Sequence, residues 1–160
     1  MTTFDTYVRS ILERGADEAR KDGSATIEAD HLLLAIAAEP EPSTQEILAS
    51  VGLDYQAIRA ALDAEFEHSL SAAGVSPAAA DLPRPSRAPE HPEPGSSFKL
   101  AMERGVAAVA HKRDLRPAHL LLGILEAQVG TVPRALTLAG IDPADLRVRV
   151  RQSLATAEEG

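Results

Sequence analysis

The run Asp30-His31-Leu32-Leu33-Leu34-Ala35-Ile36 returns 88 positions later as Ala118-His119-Leu120-Leu121-Leu122-Gly123-Ile124. The correspondence continues without a gap: Leu48 matches Leu136, Gly52 matches Gly140, Asp54 matches Asp142 and Arg59 matches Arg147. Nine of the 32 positions from 31 to 62 are identical at this offset, where random pairing would give roughly two. A chain made of two copies of one unit must place every element twice, so each helix read in one copy is checked in the other.

The 160 residues leave room for one domain or two very small ones. A unit of ~60 residues buries only ~60% of its unfolded surface, which favours two copies sharing one core. Aromatic residues are only 3% of the chain, and a small Leu/Ala-rich core suits close-packed helices. With no cysteine, disulfides and thiolate metal sites are excluded. No stretch approaches the ~20 apolar residues of a membrane span. The start, Met1-Thr2-Thr3-Phe4-Asp5, lacks the regions of a signal peptide, so a cytoplasmic protein is expected. The net charge of −8 is uneven: residues 1–70 hold 14 acidic and 5 basic side chains (−9), residues 98–160 hold 7 and 9 (+2). This asymmetry either steers a charged partner or reflects solvated helix faces that have drifted apart. Neither half has the basic footprint or the stacking aromatics of a nucleic-acid binder.

Hydrophobic spacing predicts four helices per copy. Phe4, Tyr7, Val8, Ile11, Leu12, Gly15, Ala16 and Ala19 form one apolar stripe, capped by Thr2 or Thr3 and ended by Gly23. A second helix follows Ile27 and runs through Leu34 to about Ala38, broken by Glu39-Pro40-Glu41-Pro42. Ser43 is expected to cap a third helix, Thr44 to Ser50, with Gly52 in a left-handed closing position. Asp54 caps a fourth carrying Ile58, Leu62 and Phe66. In the second copy, Phe98, Met102, Val106 and Val109 mark the first helix, and Pro117 opens the second. Thr131 to Ala139 ends at Gly140, and Asp142-Pro143 opens the last, with Leu146, Val150 and Leu154. The first helices align at an offset of 90, Glu13-Arg14-Gly15 with Glu103-Arg104-Gly105.

Residues 71–97 hold six of the eleven prolines and read as a flexible linker that cannot bury enough apolar surface to order itself. The expected fold is all-α: a pseudo-twofold duplicated four-helix repeat of eight helices. The first repeat spans 1–70 and the second 98–156, packed as one double-repeat domain. A monomer is expected, and the linker also permits a swapped dimer.

These features together resemble the Clp N-terminal domain (Clp repeat) family, in its ClpC-type form: a helix opening on His-Leu-Leu-Leu, the Gly-hydrophobic-Asp turn before the fourth helix, and the duplication. The resemblance covers the chain apart from the linker. The phosphate loop G-x-x-x-x-G-K-[S/T] of the Clp ATPase modules is not in the sequence, and the chain stops after its second repeat, so a stand-alone N-domain is expected. The resemblance implies a module that docks adaptors, receives substrates including phosphoarginine-tagged ones, and binds cyclic-peptide antibiotics. Phosphoarginine recognition in the family uses a glutamate before each histidine; here those positions are Asp30 and Ala118, so tight binding is not expected. On the antibiotic and adaptor face, formed by the first helices, Arg9 and Lys99 match basic positions and Leu12 an apolar one, with Phe4 and Ala16 on the same helix. His91 matches a histidine ahead of the second repeat. Pro94 replaces the usual phenylalanine there, leaving part of the wall missing unless Phe98 supplies it.

His31 and His119 are the candidates for catalysis or metal binding. Each stands near a helix start with no second ligand at i+4, which favours a buried neutral ring whose N–H bonds a loop carbonyl. Gly15 and Gly105 lie inside helices, where glycine costs ~1 kcal/mol against alanine. They imply either close helix approach, across the axis between repeats, or simple tolerance. Arg9 and Lys99 read equally as solvated charges. No nucleophile with a base, and no paired carboxylates over a cleft, can be assembled, so neither an enzyme nor a bound metal or cofactor is expected. The leading expectation is a peptide- or protein-binding decoy, sequestering cyclic peptides, adaptors or tagged substrates. The alternative is an accessory subunit that binds and modulates the Clp machine.

Overall fold

The computed structural model describes residues 2–74 and 90–159. Eight α-helices occur among them: α1 (Thr3–Lys21), α2 (Ala29–Ala38), α3 (Pro42–Ser50) and α4 (Tyr55–Ala72), then α5 (Ser96–Ala107), α6 (Pro117–Leu125), α7 (Thr131–Leu138) and α8 (Pro143–Glu159). The fold is the expected all-α duplication. None of these helices is long and apolar enough to cross a membrane. The middle of the Pro-rich stretch, 75–89, lies outside the described residues.

Local chemistry accounts for the helix ends. Thr2 caps α1 by accepting from Asp5 N–H at 3.0 Å, while Asp5 Oδ2 accepts from Thr2 N–H at 3.0 Å, a reciprocal capping box. The cap of α3 is Glu41 and not Ser43. Pro42 takes the first helical position, where its missing N–H costs nothing. The Glu41 carboxylate then reaches over it to accept from Ser43 N–H (3.2 Å) and Thr44 N–H (2.8 Å). Gly52 (φ 75) and Gly140 (φ 79) close α3 and α7 in the left-handed conformation. The next residue in each copy bonds back, Leu53 N–H to Leu48 O at 2.8 Å and Ile141 N–H to Leu136 O at 2.9 Å. These are the same closure twice.

The core is one cluster drawing on both copies, from Ile11, Leu33, Ile36 and Ile58 to Leu121, Ile124, Leu136 and Val150. Packing follows a pseudo-twofold plan: α2 meets α6 at the centre, α4 of the first copy covers α7 of the second, and α8 covers α3. The intrahelical glycines serve close approach inside each copy and not across the axis, Gly105 to helix α6 and Gly15 to Ile27 ahead of α2. A Cβ on Gly105 would lie 2.8 Å from the carbonyl oxygen of His119 in α6, and one on Gly15 3.1 Å from Ile27 Cγ2. Gly123, which stands where the first copy has Ala35, is tighter: its Cβ would meet Ala101 O at 2.0 Å.

Hydrophobic spacing missed a 3-10 turn at Lys112–Asp114 and a pair of two-residue strands. β1 (Thr26–Ile27) pairs in parallel with β2 (Glu93–Pro94), so residues 93–97, at the end of the Pro-rich stretch, are built into the fold. Gly95 N–H donates to Ile27 O at 2.8 Å. Beside it the two copies cap each other. Ser97 Oγ accepts from Ala29 N–H at 2.8 Å in the first turn of α2, while Glu28 Oε1 accepts from Ser97 N–H (3.3 Å) and Oγ–H (3.0 Å) in the first turn of α5. Gly95 permits the approach, because a Cβ there would fall 2.0 Å from the Glu28 carboxylate.

Candidate functional site

Both duplicated histidines are buried at the third position of their helices. Their rings accept a hydrogen bond where a donor to a loop carbonyl was expected. His31 Nδ1 accepts from Glu28 N–H at 3.0 Å, and His119 Nδ1 from Arg116 N–H at 2.9 Å. Each imidazole thus satisfies an orphan amide at a helix start.

Their surroundings differ. His31 Nε2 lies 3.0 Å from Asp22 Oδ2 and 4.0 Å from Asp30 Oδ2. The other Asp22 oxygen accepts from Arg59 Nη2 at 2.5 Å. Arg59 Nη1 lies 3.5 Å from the buried Glu18, whose Oε1 accepts from Tyr55 O–H at 2.7 Å. Burial pulls the His31 pKa down, but the Asp22 bond and the charges of Asp30, Asp22 and Glu28 outweigh it and raise the ring above 6.5. Burial also raises Asp30, partly offset by His31. Asp22 is lowered, because its bonds to His31 and Arg59 overcome its desolvation. Burial and the charge of Arg116 lower His119. Burial and Glu18 push Tyr55 up to about 12, so its hydroxyl stays a donor. Asp22, Asp30 and His31 offer three metal-ligand atoms within 4.8 Å of one another. Arg59 already compensates Asp22, and a cation would compete with that guanidinium.

This network forms one wall of a cleft of about 680 Å³ between the copies. The first-repeat wall carries Asp30, His31, Arg59 and Asp63, with Phe66 on the rim; the second-repeat wall carries Leu100, Arg104, Ala127 and Val129. Three rim side chains are unusually open for their type: Phe66 is 58% exposed, Leu100 45% and Val129 83%. Glu65 of α4 binds Arg134 of α7 at 3.0 Å and Ser69 Oγ at 2.6 Å, tying the two sides together. Among its lining side chains no nucleophile is poised against a base; the arrangement offers hydrophobic contact and charge on opposed walls, which is the chemistry of binding.

The residues singled out by resemblance fall elsewhere. Phe4, Leu12 and Ala16 are half-buried on α1 against the core, and Arg9 is exposed on the same helix. His91 and Lys99 are exposed, whereas Phe98 is a core residue at 6% exposure. None of these seven lines the cleft, which takes in Asp30 and His31. Ala118 is 3% exposed, so the second copy offers neither a carboxylate nor an accessible side chain at the position of Asp30. Sequence reasoning missed Phe66 as a rim residue, since its spacing places it in the core stripe of α4. It also missed Leu100, Arg104 and Val129, whose signal lies in what the first copy carries at the same places.

A search of curated proteins returns no match. Among solved structures, the fold is similar to the N-terminal domain of the caseinolytic protease associated chaperone ClpD from Arabidopsis thaliana. The TM-score is 0.59 at 18% identity, over 96% of this chain and 92% of that one. The Clp repeat (R) N-terminal domain family matches residues 3–104, from the first turn of α1 into α5. The chain belongs to the Clp repeat N-terminal domain family.

Proposed function

We propose that this chain is a non-catalytic binding module that takes segments of partner proteins into the cleft between its repeats. The observation that carries the reading is the cleft, where three exposed apolar side chains, Phe66, Leu100 and Val129, ring a space with charge on both walls. Exposed apolar residues gathered at a concave site are the usual mark of a binding surface. The partners are those of ClpC-type N-domains: adaptors, tagged substrates and cyclic peptides, the last on the α1–α5 face that carries Arg9, Leu12 and Lys99. In this reading the module works in the cytoplasm as a decoy that sequesters these ligands.

Calorimetry with a cyclic-peptide Clp inhibitor and with an unfolded Clp substrate tests this. Binding at tens of micromolar or tighter is expected for both. Phe66→Asp should abolish substrate binding and leave the cyclic peptide bound. Failure of the folded protein to bind either ligand would refute the reading. Co-purification with the Clp ATPase, with no peptide ligand, would establish the accessory-subunit alternative.

A further inference from the structure

A carboxylate clasp present in the first copy is missing from the second. Glu39 Oε2, at the end of α2, accepts from Ser10 Oγ and from Arg14 Nε of α1, both at 2.7 Å. The first helices correspond at an offset of 90, so Arg14 answers to Arg104 and Ser10 to Leu100; at the offset of 88, Glu39 answers to Ala127. The second copy therefore keeps the guanidinium, loses the carboxylate, and sets a leucine where the hydroxyl stood. The Arg104 side chain has no hydrogen-bond or ion-pair partner among the described residues. Arg104, Leu100 and Ala127 all line the cleft, and among the described residues Arg104 is the only charged side chain on its second-repeat wall. Two residues on, Glu41, whose carboxylate caps α3, answers to the exposed Val129.

We infer that Arg104 is an anion-recognition point, and that the cleft's occupant is an acidic–apolar segment of a partner protein. A glutamate carboxylate of that segment accepts from Arg104 as Glu39 does from Arg14, and a neighbouring apolar side chain covers Leu100 and Val129. On the opposite wall Asp22 is held by Arg59 and His31, Glu28 by Ser97 and Glu65 by Arg134, and the remaining carboxylates, Asp30 and Asp63, confine the segment's acidic group to the Arg104 side. The inference rests on the cleft being a protein-binding site and adds the chemistry of what fills it.

The probe is a fluorescein-labelled, C-terminally amidated peptide with the sequence of residues 36–41, Ile-Ala-Ala-Glu-Pro-Glu, read by fluorescence anisotropy against the full chain. Its control has glutamine in place of the first glutamate. The glutamate peptide should bind at least about tenfold tighter, the usual scale of a charge-assisted hydrogen bond, and Arg104→Gln should erase the preference. Ala127→Glu supplies the missing carboxylate internally, so it should weaken the glutamate peptide about tenfold while raising the melting temperature. Equal affinity for the two peptides, a preference that survives Arg104→Gln, or an Ala127→Glu variant that binds like the parent would each overturn the inference. So would no binding of either peptide up to about 1 mM. In each of these cases, binding of the unfolded substrate, lost in Phe66→Asp, would leave the broader cleft reading standing.

Discussion

Ser97→Ala should cost this protein far more than a small polar residue beside a linker would suggest. The hydroxyl does two things at once: it accepts from Ala29 N–H at 2.8 Å and donates to Glu28 Oε1 at 3.0 Å. Losing the first leaves an uncapped amide at the start of α2, worth about 1 kcal/mol. Losing the second removes a bond to a charged group, typically ~1.5–3 kcal/mol. The lower end applies, because Glu28 keeps Ser97 N–H at 3.3 Å and Thr26 Oγ1 at 3.1 Å. The total is about 2.5 kcal/mol, or ~70-fold in the unfolding constant, and a melting point lower by about 5–10 °C for a chain of this size. Urea unfolding followed by circular dichroism reads it as a fall in midpoint at constant slope. Glu28→Ala should overlap with Ser97→Ala, since each removes the same bond, giving a double mutant clearly less destabilised than the sum. Gly95→Ala should add nothing in the Glu28→Ala background, because the atoms its Cβ would strike are those of the Glu28 carboxylate. A Ser97→Ala variant within 0.5 kcal/mol of the parent, or strictly additive with Glu28→Ala, would refute the reciprocal cap.

Gly123→Ala should destabilise by about 2 kcal/mol despite the better helix propensity of alanine, because its Cβ would press on the backbone of α5 at Ala101 O; a rise in urea midpoint would show that α5 and α6 are not so closely packed. The two histidines should titrate apart in NMR, His31 above 6.5 and His119 below it. Protonation at Nδ1 sacrifices a helix-start bond in both copies alike, so the difference reports the carboxylates around one ring and Arg116 beside the other. By linkage, the His31 contribution is full below pH 6.5 and lost as pH rises through its folded value, while that of His119 is full above 6.5 and lost as pH falls through its own. The reverse order of the two titrations would contradict the placement of Asp22 and Asp30. Phe66→Asp, at a side chain 58% exposed, should leave the melting point within about 2 °C, so that its loss of substrate binding reports the site and not the fold.

Much of the fold could be read from single residues because the duplication checks each assignment. Gly52 and Gly140 mark the same turn, and His31 and His119 the same helix start. The readings that failed depend on geometry between distant residues. Glu41 displaced Ser43 as a cap because its longer side chain reaches past Pro42. The Glu28–Ser97 pair joins residues 69 apart, and hydrophobic periodicity carries no trace of it. The two-residue strands are too short for any period, and the prolines around Pro94 look like linker. The site was legible only at Asp30 and His31. Its other wall is defined by subtraction, Glu39 against Ala127 and Ser10 against Leu100, and becomes meaningful once Arg14 is seen holding Glu39.

The claim that the second copy's lost clasp opens a binding cleft is tested most directly by NMR shift mapping, with ¹⁵N-labelled protein and the residue 36–41 peptide. The perturbed amides should cluster at Phe66, Leu100, Arg104 and Val129, and Ala127→Glu should remove the perturbation. Shifts confined to the α1 face at Phe4, Arg9 and Leu12, with the cleft residues unmoved, would contradict it.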